Sequence, residues 1–279
     1  MLVLYTVLGH NGPMQARFLD KLNSAQRAAA CHGDAPLLII AGAGTGKTNT
    51  LAHRVAQLVL QGARPEKILL LTFSRRAAQE LSRRSQAIVA HALKTASPAS
   101  PAARLTWAGT FHSVANRLLR HYAGQVGLEP GFGVMDRGDS ADLLDVARHE
   151  LGYSGQDRRF PRKDTCLAIY SHCVNTQKPL ETTLSDAFPW CAEWEAELKS
   201  LFRRYVESKL AQQVLDYDDL LLYWHALMQN GPLARDVESL FDHVPVDESQ
   251  GPNTPTSEHL PPRQPPGQGL GVVGTLAQA

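Results

Sequence analysis

The sequence has few of the features that mark a secreted or membrane-spanning protein. Its four cysteines, Cys31, Cys166, Cys173 and Cys191, show neither C-x-x-C spacing nor the density of a disulfide framework. They are predicted to be reduced thiols, as in cytoplasmic proteins. The apolar run Leu2–Leu8 is too short to cross a membrane, and no basic residue precedes it as in a signal peptide. These absences favour a cytoplasmic protein that does not contact a membrane.

The sequence also lacks an overall excess of either charge, because 28 Lys and Arg nearly balance 27 Asp and Glu. The charges are nevertheless unevenly placed. Residues 1–125 contain 15 basic and 4 acidic residues, a net charge of +11, and the remainder has a net charge of −10. A strongly basic half favours a polyanion such as nucleic acid as a partner. The alternative is that the two halves face each other within the protein.

What the sequence does contain is a candidate phosphate-binding loop in Leu37–Thr48, LLIIAGAGTGKT. An apolar run ends in a loop of small residues and an amphipathic helix follows, with Ala41 in the place of the usual first glycine. Glycines let backbone N–H groups turn toward phosphates, and Lys47 can reach the β- and γ-phosphates. The predicted nucleotide-binding residues are Ala41, Gly42, Ala43, Gly44, Thr45, Gly46, Lys47 and Thr48. The alternative is a glycine-rich turn with an unrelated lysine.

Gln26 opens a short predicted helix 21 positions before Lys47. Its amide can pair with the N6 and N7 edge of adenine, which guanine does not offer in that order of donor and acceptor. Gln26 is therefore a candidate adenine reader, and an ordinary surface residue is the alternative.

Two further predicted strands end in polar and aromatic residues. Ile68–Phe73 leads into Ser74–Arg76, and the strand at 105–109 leads into Thr110–His112. Hydroxyls, arginines and a helix N-terminus suit backbone phosphates, and an aromatic ring offers a stacking face to a base. Ligands of parallel sheets collect at the carboxyl ends of strands. The alternative is that Phe73 belongs to the core and the arginines form a solvated face.

From about residue 122 to 223 the strand-like runs give way to helices, predicted over 139–151, 163–175, 191–212 and 217–229. This pattern favours a helical subdomain inserted into the sheet domain. Its core is predicted to contain Trp190, Trp194 and Trp224. Phe241–Glu248 then returns to the sheet as an apolar strand ending in two acids. In a phosphate-loop ATPase these acids would hold Mg²⁺ and polarise the attacking water.

The motifs LNSAQ, AGAGTGKT, LLTFSRRAAQEL, GTFHSVANRLL, DYDDLL and VDESQ occur in this order over residues 15 to about 250. Together they resemble the amino-terminal part of the UvrD/Rep/PcrA type of superfamily 1 DNA helicases. The resemblance implies an α/β fold, a P-loop RecA-like parallel sheet flanked by helices, with an inserted all-helical subdomain. It also implies ATP and Mg²⁺ as cofactors and single-stranded DNA as the partner, in DNA repair or replication.

Carried over by position, the resemblance implies a role for each matching residue. Gln26 would read adenine, Thr48 and Asp247 would hold Mg²⁺, and Glu248 would be the catalytic base. Gln250 would sense the γ-phosphate and act with Lys47 in catalysis. The implied DNA track contains Thr72, Phe73, Ser74, Thr110, Phe111 and His112, to which the charge argument adds Arg75 and Arg76.

The resemblance weakens after Glu248. Residues 247–251 read DESQG and lack an aromatic and an acid of the family pattern, and Pro245 removes an N–H from the strand before them. Residues 252–269 contain six prolines and cannot form the helix that the family has there. Val272–Gly274 then resumes a strand at the family's spacing. This combination suggests a reading-frame shift and its reversal, or a decayed gene.

The predicted organisation is a leader at 1–13, a RecA-like lobe at 14–121, the helical subdomain at 122–223, a return strand at 224–250 and a Pro-rich tail at 251–279. The predicted function is the ATP-binding motor lobe of an ATP-dependent DNA helicase. Because the sequence ends before a second lobe with its arginine, we expect slow ATP hydrolysis and no unwinding by this chain alone. The alternatives are a non-enzymatic ATP- or DNA-binding remnant, part of a nuclease–helicase subunit, and a small-molecule kinase.

Overall fold

A computed structural model describes residues 17–33, 35–41, 44–96, 105–154, 160–247 and 270–274. The strands are β1 (Leu37–Ile40), β2 (Leu69–Thr72), β3 (Trp107–Thr110), β4 (Gly133–Val134), β5 (Val214–Leu215), β6 (Val244–Asp247) and β7 (Leu270–Gly274). The α-helices are α1 (Ser24–Ala30), α2 (Lys47–Leu60), α3 (Arg75–Ala96), α4 (Phe111–His121), α5 (Arg137–Glu150), α6 (Lys163–Thr176), α7 (Leu180–Ala187), α8 (Glu195–Gln212), α9 (Tyr217–Gln229) and α10 (Gly231–Ser239). Described residues up to 111 and from 236 onward form one compact unit, and residues 112–235 form a second.

The first unit contains a five-stranded sheet in the order β1-β7-β6-β2-β3, in which every pairing is parallel. The sequence prediction of an α/β fold with a parallel sheet is confirmed. The strand expected at 272–274 is β7, which lies between β1 and β6. Its position brings the carboxyl ends of β1 and β6 to the same edge of the sheet.

Helices α2 and α3 cover one face of this sheet. Leu51 and Val55 of α2 and Leu81 of α3 pack against Leu70 of β2, and all four side chains are fully buried. A fully buried aliphatic side chain contributes about 1.5–3 kcal/mol, so this packing holds the N-terminus of α2 against the sheet.

Pro245 lies inside β6, a central strand, where a residue without an N–H removes a ladder bond. The β2–β6 pairing shows the effect. Ile68 pairs with His243, and Leu71 and Thr72 pair with Val246 and Asp247, but the two register positions between them are not paired. A parallel bridge at either of these positions would need a hydrogen bond donated by the N–H of residue 245, and proline has no N–H. The interruption is local, because pairing resumes before Asp247.

The second unit is helical apart from the short parallel pair β4 and β5. Its core is built mainly from α5, α6 and α8, and Asp136 and Asp216 begin α5 and α9 with capping boxes. Trp194 and Trp224 are buried as predicted. The prediction for Trp190 was wrong, because its side chain is 68% exposed.

The units divide at residues 111/112 and 235/236. The sequence-based limits of the helical subdomain, 122 and 223, fall after α4 and inside α9. The cysteines are free thiols. Among the described helices, none combines the length and apolar character needed to cross a membrane.

Candidate functional site

The loop between β1 and α2 has its conformation fixed by glycine. Gly44 and Gly46 have φ values of 73° and 84°, in the left-handed region that favours glycine. A Cβ on Gly46 would also lie 2.8 Å from Nε2 of Gln26, so a larger residue here would displace the end of that flexible side chain. Gly42 and Ala43 lie outside the described residues. The described part of the loop leads directly into the N-terminus of α2, which favours an anion.

Lys47 is the first residue of α2. Its Nζ donates a hydrogen bond of 2.7 Å to the carbonyl oxygen of Ala41, at the end of β1. The ammonium group therefore lies across the loop that the glycines form. A positive charge, a helix N-terminus and a glycine-rich loop at one strand end form an arrangement that can hold phosphate groups.

Thr48 and Asp247 meet at this edge of the sheet although 199 positions separate them. The Thr48 hydroxyl donates to Oδ2 of Asp247 at 3.0 Å. Asp247, the last residue of β6, is 4% exposed. Burial raises the pKa of its carboxyl, and the Thr48 hydrogen bond and the charge of Lys47 oppose that increase.

This pair fits a divalent cation by its donor chemistry. Mg²⁺ prefers hard oxygen ligands, and a cation would stabilise the ionised form of a carboxylate that burial disfavours. The structure thus brings together the two residues predicted as Mg²⁺ ligands. Glu248 and Gln250, the predicted base and γ-phosphate sensor, lie outside the described residues.

Gln26 joins α1 to the same loop. Its Nε2 donates to the carbonyl oxygen of Thr45 at 2.9 Å, and its Oε1 accepts from the N–H of Asn23 at 3.1 Å in the capping box that begins α1. A cavity of about 370 Å³ is lined by Gln26 and His32, the residues of β1, Thr45 and Lys47. The candidate adenine reader and the candidate phosphate ligand therefore share one cavity. The reading of adenine stays a prediction.

The ends of β2 and β3 form a second cluster. Thr72 and Thr110 are paired in the sheet register, and the rings of Phe73 and Phe111 lie 5.2 Å apart. Phe73 is 42% exposed, whereas Thr72, Thr110 and Phe111 are buried. Tertiary packing covers these three side chains and leaves the ring of Phe73 exposed, and the position of all four residues along a DNA track stays a prediction. Ser74 is exposed, and its hydroxyl accepts from the N–H of Ala77 at the start of α3.

Two of the arginines on α3 are placed differently from the others. Arg75 and Arg76 are exposed in the first turn, where cations oppose the helix dipole. Arg83 and Arg84 both pair with Glu80 at 2.7 Å, and within the described part of the chain no carboxylate pairs with Arg75 or Arg76. Their position suits an anion supplied from outside the protein, such as a nucleic-acid phosphate.

His112, the remaining predicted DNA contact, belongs to the second unit. Its ring lies 5.5 Å from that of Tyr217 in an edge-to-face arrangement. Burial lowers the pKa of His112, and the charge of Asp218 opposes the decrease. The structure therefore assigns His112 to a different unit from the other predicted contacts.

Sequence reasoning missed one cluster of buried charges in the second unit. Nζ of Lys209 lies 2.6 Å from both Asp216 and Asp219, and all three side chains are largely inaccessible. Both aspartates belong to the DYDDLL motif, which the resemblance included without a role. A lysine seven positions before an aspartate gives no local signal, so only the fold reveals this contact.

These features define an α/β protein in which a glycine-rich loop, a lysine and a buried aspartate meet at the carboxyl edge of a parallel sheet. The chain belongs to the UvrD/REP helicase N-terminal domain family, which matches residues 22–258. This result confirms the resemblance inferred from the motifs.

Three relatives show how the chain compares with longer proteins. It is 33% identical over 248 residues to ATP-dependent DNA helicase UvrD1 of Mycobacterium tuberculosis, covering 87% of this chain and 30% of that protein. It is 30% identical over 241 residues to ATP-dependent DNA helicase PcrA of Bacillus subtilis, covering 85% and 30%. A probable DNA helicase II homolog of Mycoplasma capricolum is 31% identical over 239 residues, covering 84% and 31%. The chain thus spans about 30% of the length of these relatives.

Proposed function

We propose that this chain is the ATP-binding part of a UvrD-like ATP-dependent DNA helicase, a cytoplasmic protein that binds ATP with Mg²⁺ and single-stranded DNA. The observation that carries the proposal is the hydrogen bond between Thr48 and Asp247. It joins the helix that follows the glycine-rich loop to the acidic end of β6. The names of the relatives support ATP and DNA as ligands of this family.

Each residue of the nucleotide site has a proposed role. Lys47 and the loop N–H groups bind the phosphates, and Gln26 reads the adenine edge. Thr48 and Asp247 hold Mg²⁺, which would neutralise charge on the phosphates. Glu248 accepts a proton from the attacking water, and Gln250 contacts the γ-phosphate. The RecA-like arrangement of the lobe is part of this proposal.

DNA binding is proposed at the ends of β2 and β3. Phe73 offers a stacking face, Arg75 and Arg76 face backbone phosphates, and the basic first half of the sequence adds a long-range attraction. For the 279 residues alone we propose binding and slow ATP hydrolysis. Translocation and unwinding are proposed for a full-length relative and not for this segment.

The test combines a binding and a turnover measurement. Calorimetry with ADP is expected to show binding that strengthens when Mg²⁺ is added, and that Mg²⁺ dependence should disappear in Asp247→Ala. A folded protein that binds neither ADP nor ATP would refute the proposal. Hydrolysis strongly stimulated by single-stranded DNA, and abolished in Glu248→Gln, would show that the segment is a more complete motor than we propose. Nucleotide binding without any turnover would favour the non-enzymatic alternative.

A further inference from the structure

Arg54 of α2 is buried, with 2% of its surface exposed. Its guanidinium donates to main-chain carbonyls in the last turn of α1 and in the segment that follows the helix. Nη1 lies 2.6 Å from the oxygen of His32 and 3.4 Å from that of Ala29, and Nη2 lies 3.1 Å from the oxygen of Gly33. The last carbonyls of a helix carry partial negative charge, so they can stabilise a buried cation.

The helix that Arg54 holds is too short to be stable alone. α1 has seven residues, fewer than the roughly 12 that an isolated helix needs in water. Its apolar anchoring is small, since Leu22 and Ala30 form a cluster with Leu19. Polar contacts therefore add to this limited apolar packing in fixing where α1 lies.

Those polar contacts connect both ends of α1 to the nucleotide site. At the N-terminal end, Gln26 donates to Thr45 of the loop. Just after the C-terminal end, Arg54 binds the carbonyls of His32 and Gly33 from a position seven residues after Lys47, on the same helix. α1 and His32 form one wall of the 370 Å³ cavity, and β1 and the loop form the other.

We propose that Arg54 is a positioning residue of the nucleotide site, which fixes α1 against α2 so that Gln26 stands at the adenine edge. It touches no nucleotide and acts through Gln26. The inference rests on the proposed function, because it assumes that the cavity takes the base. It adds Arg54 as the residue that fixes the position of α1, the helix that contains Gln26.

The chemistry favours arginine over lysine at this position. Two nitrogens of one planar group reach separate carbonyls, whereas a lysine ammonium is a compact charge on a flexible stem. Arg54→Lys should therefore keep the buried charge but place α1 less accurately. Arg54→Gln should remove the charge and keep one donor group.

The experiment measures the affinities of ATP, GTP and tripolyphosphate for the wild type, Arg54→Lys, Arg54→Gln, Gln26→Ala and the double variant Arg54→Lys/Gln26→Ala. Arg64→Met, an exposed arginine of the same unit, is the control. We expect Arg54→Lys and Arg54→Gln to lose about fivefold or more of the preference for ATP over GTP, the low end of one bidentate base contact. Affinity for tripolyphosphate should stay unchanged. The double variant should lose no more preference than Gln26→Ala.

Two results would overturn the inference. One is an ATP preference in both Arg54 variants equal to that of the wild type. The other is an equal loss of affinity for all three ligands, which would mean that Arg54 only stabilises the fold. A wild type that binds neither ATP nor tripolyphosphate would refute the proposed function itself, and the inference with it. A wild type that binds both with no preference for ATP would refute the reading of adenine by Gln26, and with it the inference about Arg54, while leaving phosphate binding at the loop intact.

Discussion

The two units each bury aspartates, but the described hydrogen-bond partners of these carboxylates differ in charge. In the second unit, Asp216 and Asp219 share the ammonium of Lys209, and the hydroxyl of Tyr205 donates to Asp216 at 2.9 Å. In the first unit, the described contact of the Asp247 carboxylate is the neutral hydroxyl of Thr48, with the charge of Lys47 nearby. One site has a cation supplied within the fold, and the other favours a cation from outside.

The pKa directions of the aspartates do not separate the two sites, because burial also raises the pKa of Asp219, although Lys209 opposes the increase. Burial alone would lower the pKa of Lys209, but the attraction of Asp219 and Asp216 outweighs it, so the pKa is raised and the lysine is charged. Burial raises the pKa of Asp247, and its two favourable contacts do not cancel the increase. A buried charge that is paired inside the fold serves stability, whereas one left to a ligand marks a candidate functional site.

The largest expected effect is on the site that Lys209 forms with Asp216 and Asp219. Lys209→Met would leave two buried carboxylates without their cation, and breaking a buried pair in this way costs about 3–5 kcal/mol. Urea unfolding followed by tryptophan fluorescence reports mainly on this unit, because it contains three of the four tryptophans, Trp190, Trp194 and Trp224, and only Trp107 lies in the first unit. Lys199→Met, at an exposed position of the same helix, is the control. Equal stability of the two variants would mean that Lys209 does not balance the aspartates.

Next in size is the loss of nucleotide affinity in Lys47→Ala. Hydrogen bonds to charged groups contribute about 1.5–3 kcal/mol, so affinity for ADP should fall roughly tenfold to hundredfold. Calorimetry measures this directly, with Lys21→Ala as a variant of equal charge change at an exposed site. Stability should change little, in contrast to Lys209→Met. If ADP binds both variants equally well, the loop is not the phosphate site.

The arginines of α3 offer the same comparison, because Arg83 and Arg84 are paired with Glu80 and Arg75 and Arg76 have no carboxylate partner among the described residues. Replacing both Arg75 and Arg76 by Ala should reduce the salt dependence of single-stranded DNA binding, because two phosphate contacts are lost. The slope of log affinity against log salt should change by about 1.4. Replacing Arg83 and Arg84, which pair with Glu80, alters the net charge equally and should change the slope less. Fluorescence anisotropy between low and moderate salt measures this slope. Equal slopes for the two double variants would show that Arg75 and Arg76 contact DNA phosphates no more than Arg83 and Arg84 do.

The smallest effect concerns the pH dependence of stability. The pKa of Asp247 in the native state is raised above its ordinary value of 3.8. At pH values between 3.8 and the raised pKa, the native state therefore binds more protons than the unfolded state. Stability from this group is therefore present at low pH and lost as pH rises through the raised pKa. Asp247→Asn does not titrate, so its free energy of unfolding relative to the wild type should increase from pH 4 to pH 7, within about 1 kcal/mol. The reverse trend in urea unfolding would show that Asp247 is already satisfied as an anion.

Much of the fold could be predicted because the signals are local. The helix at Tyr217–Gln229 has the predicted limits, and Lys163–Thr176 differs from its prediction by one residue. Helical periodicity and capping residues act within a few turns, so a single sequence reveals them. The strand at 272–274, by contrast, was expected from the family's spacing after Asp247 and not from a local signal. Pro245 was correctly identified as a break in a ladder, because a missing N–H has the same consequence in any central strand.

The sequence by itself determined the glycine-rich loop, the strands of the parallel sheet, the longer helices of the second unit, and the family to which the chain belongs. These depend on backbone conformation and on short motifs that are complete in the residues themselves. Only the tertiary structure decided that Thr72, Thr110 and Phe111 are covered while Phe73 and Trp190 are exposed. It alone showed that Arg54 holds α1 and that Lys209 lies between two aspartates. Burial and pairing are properties of residues distant in sequence that folding brings together, and no local pattern encodes them.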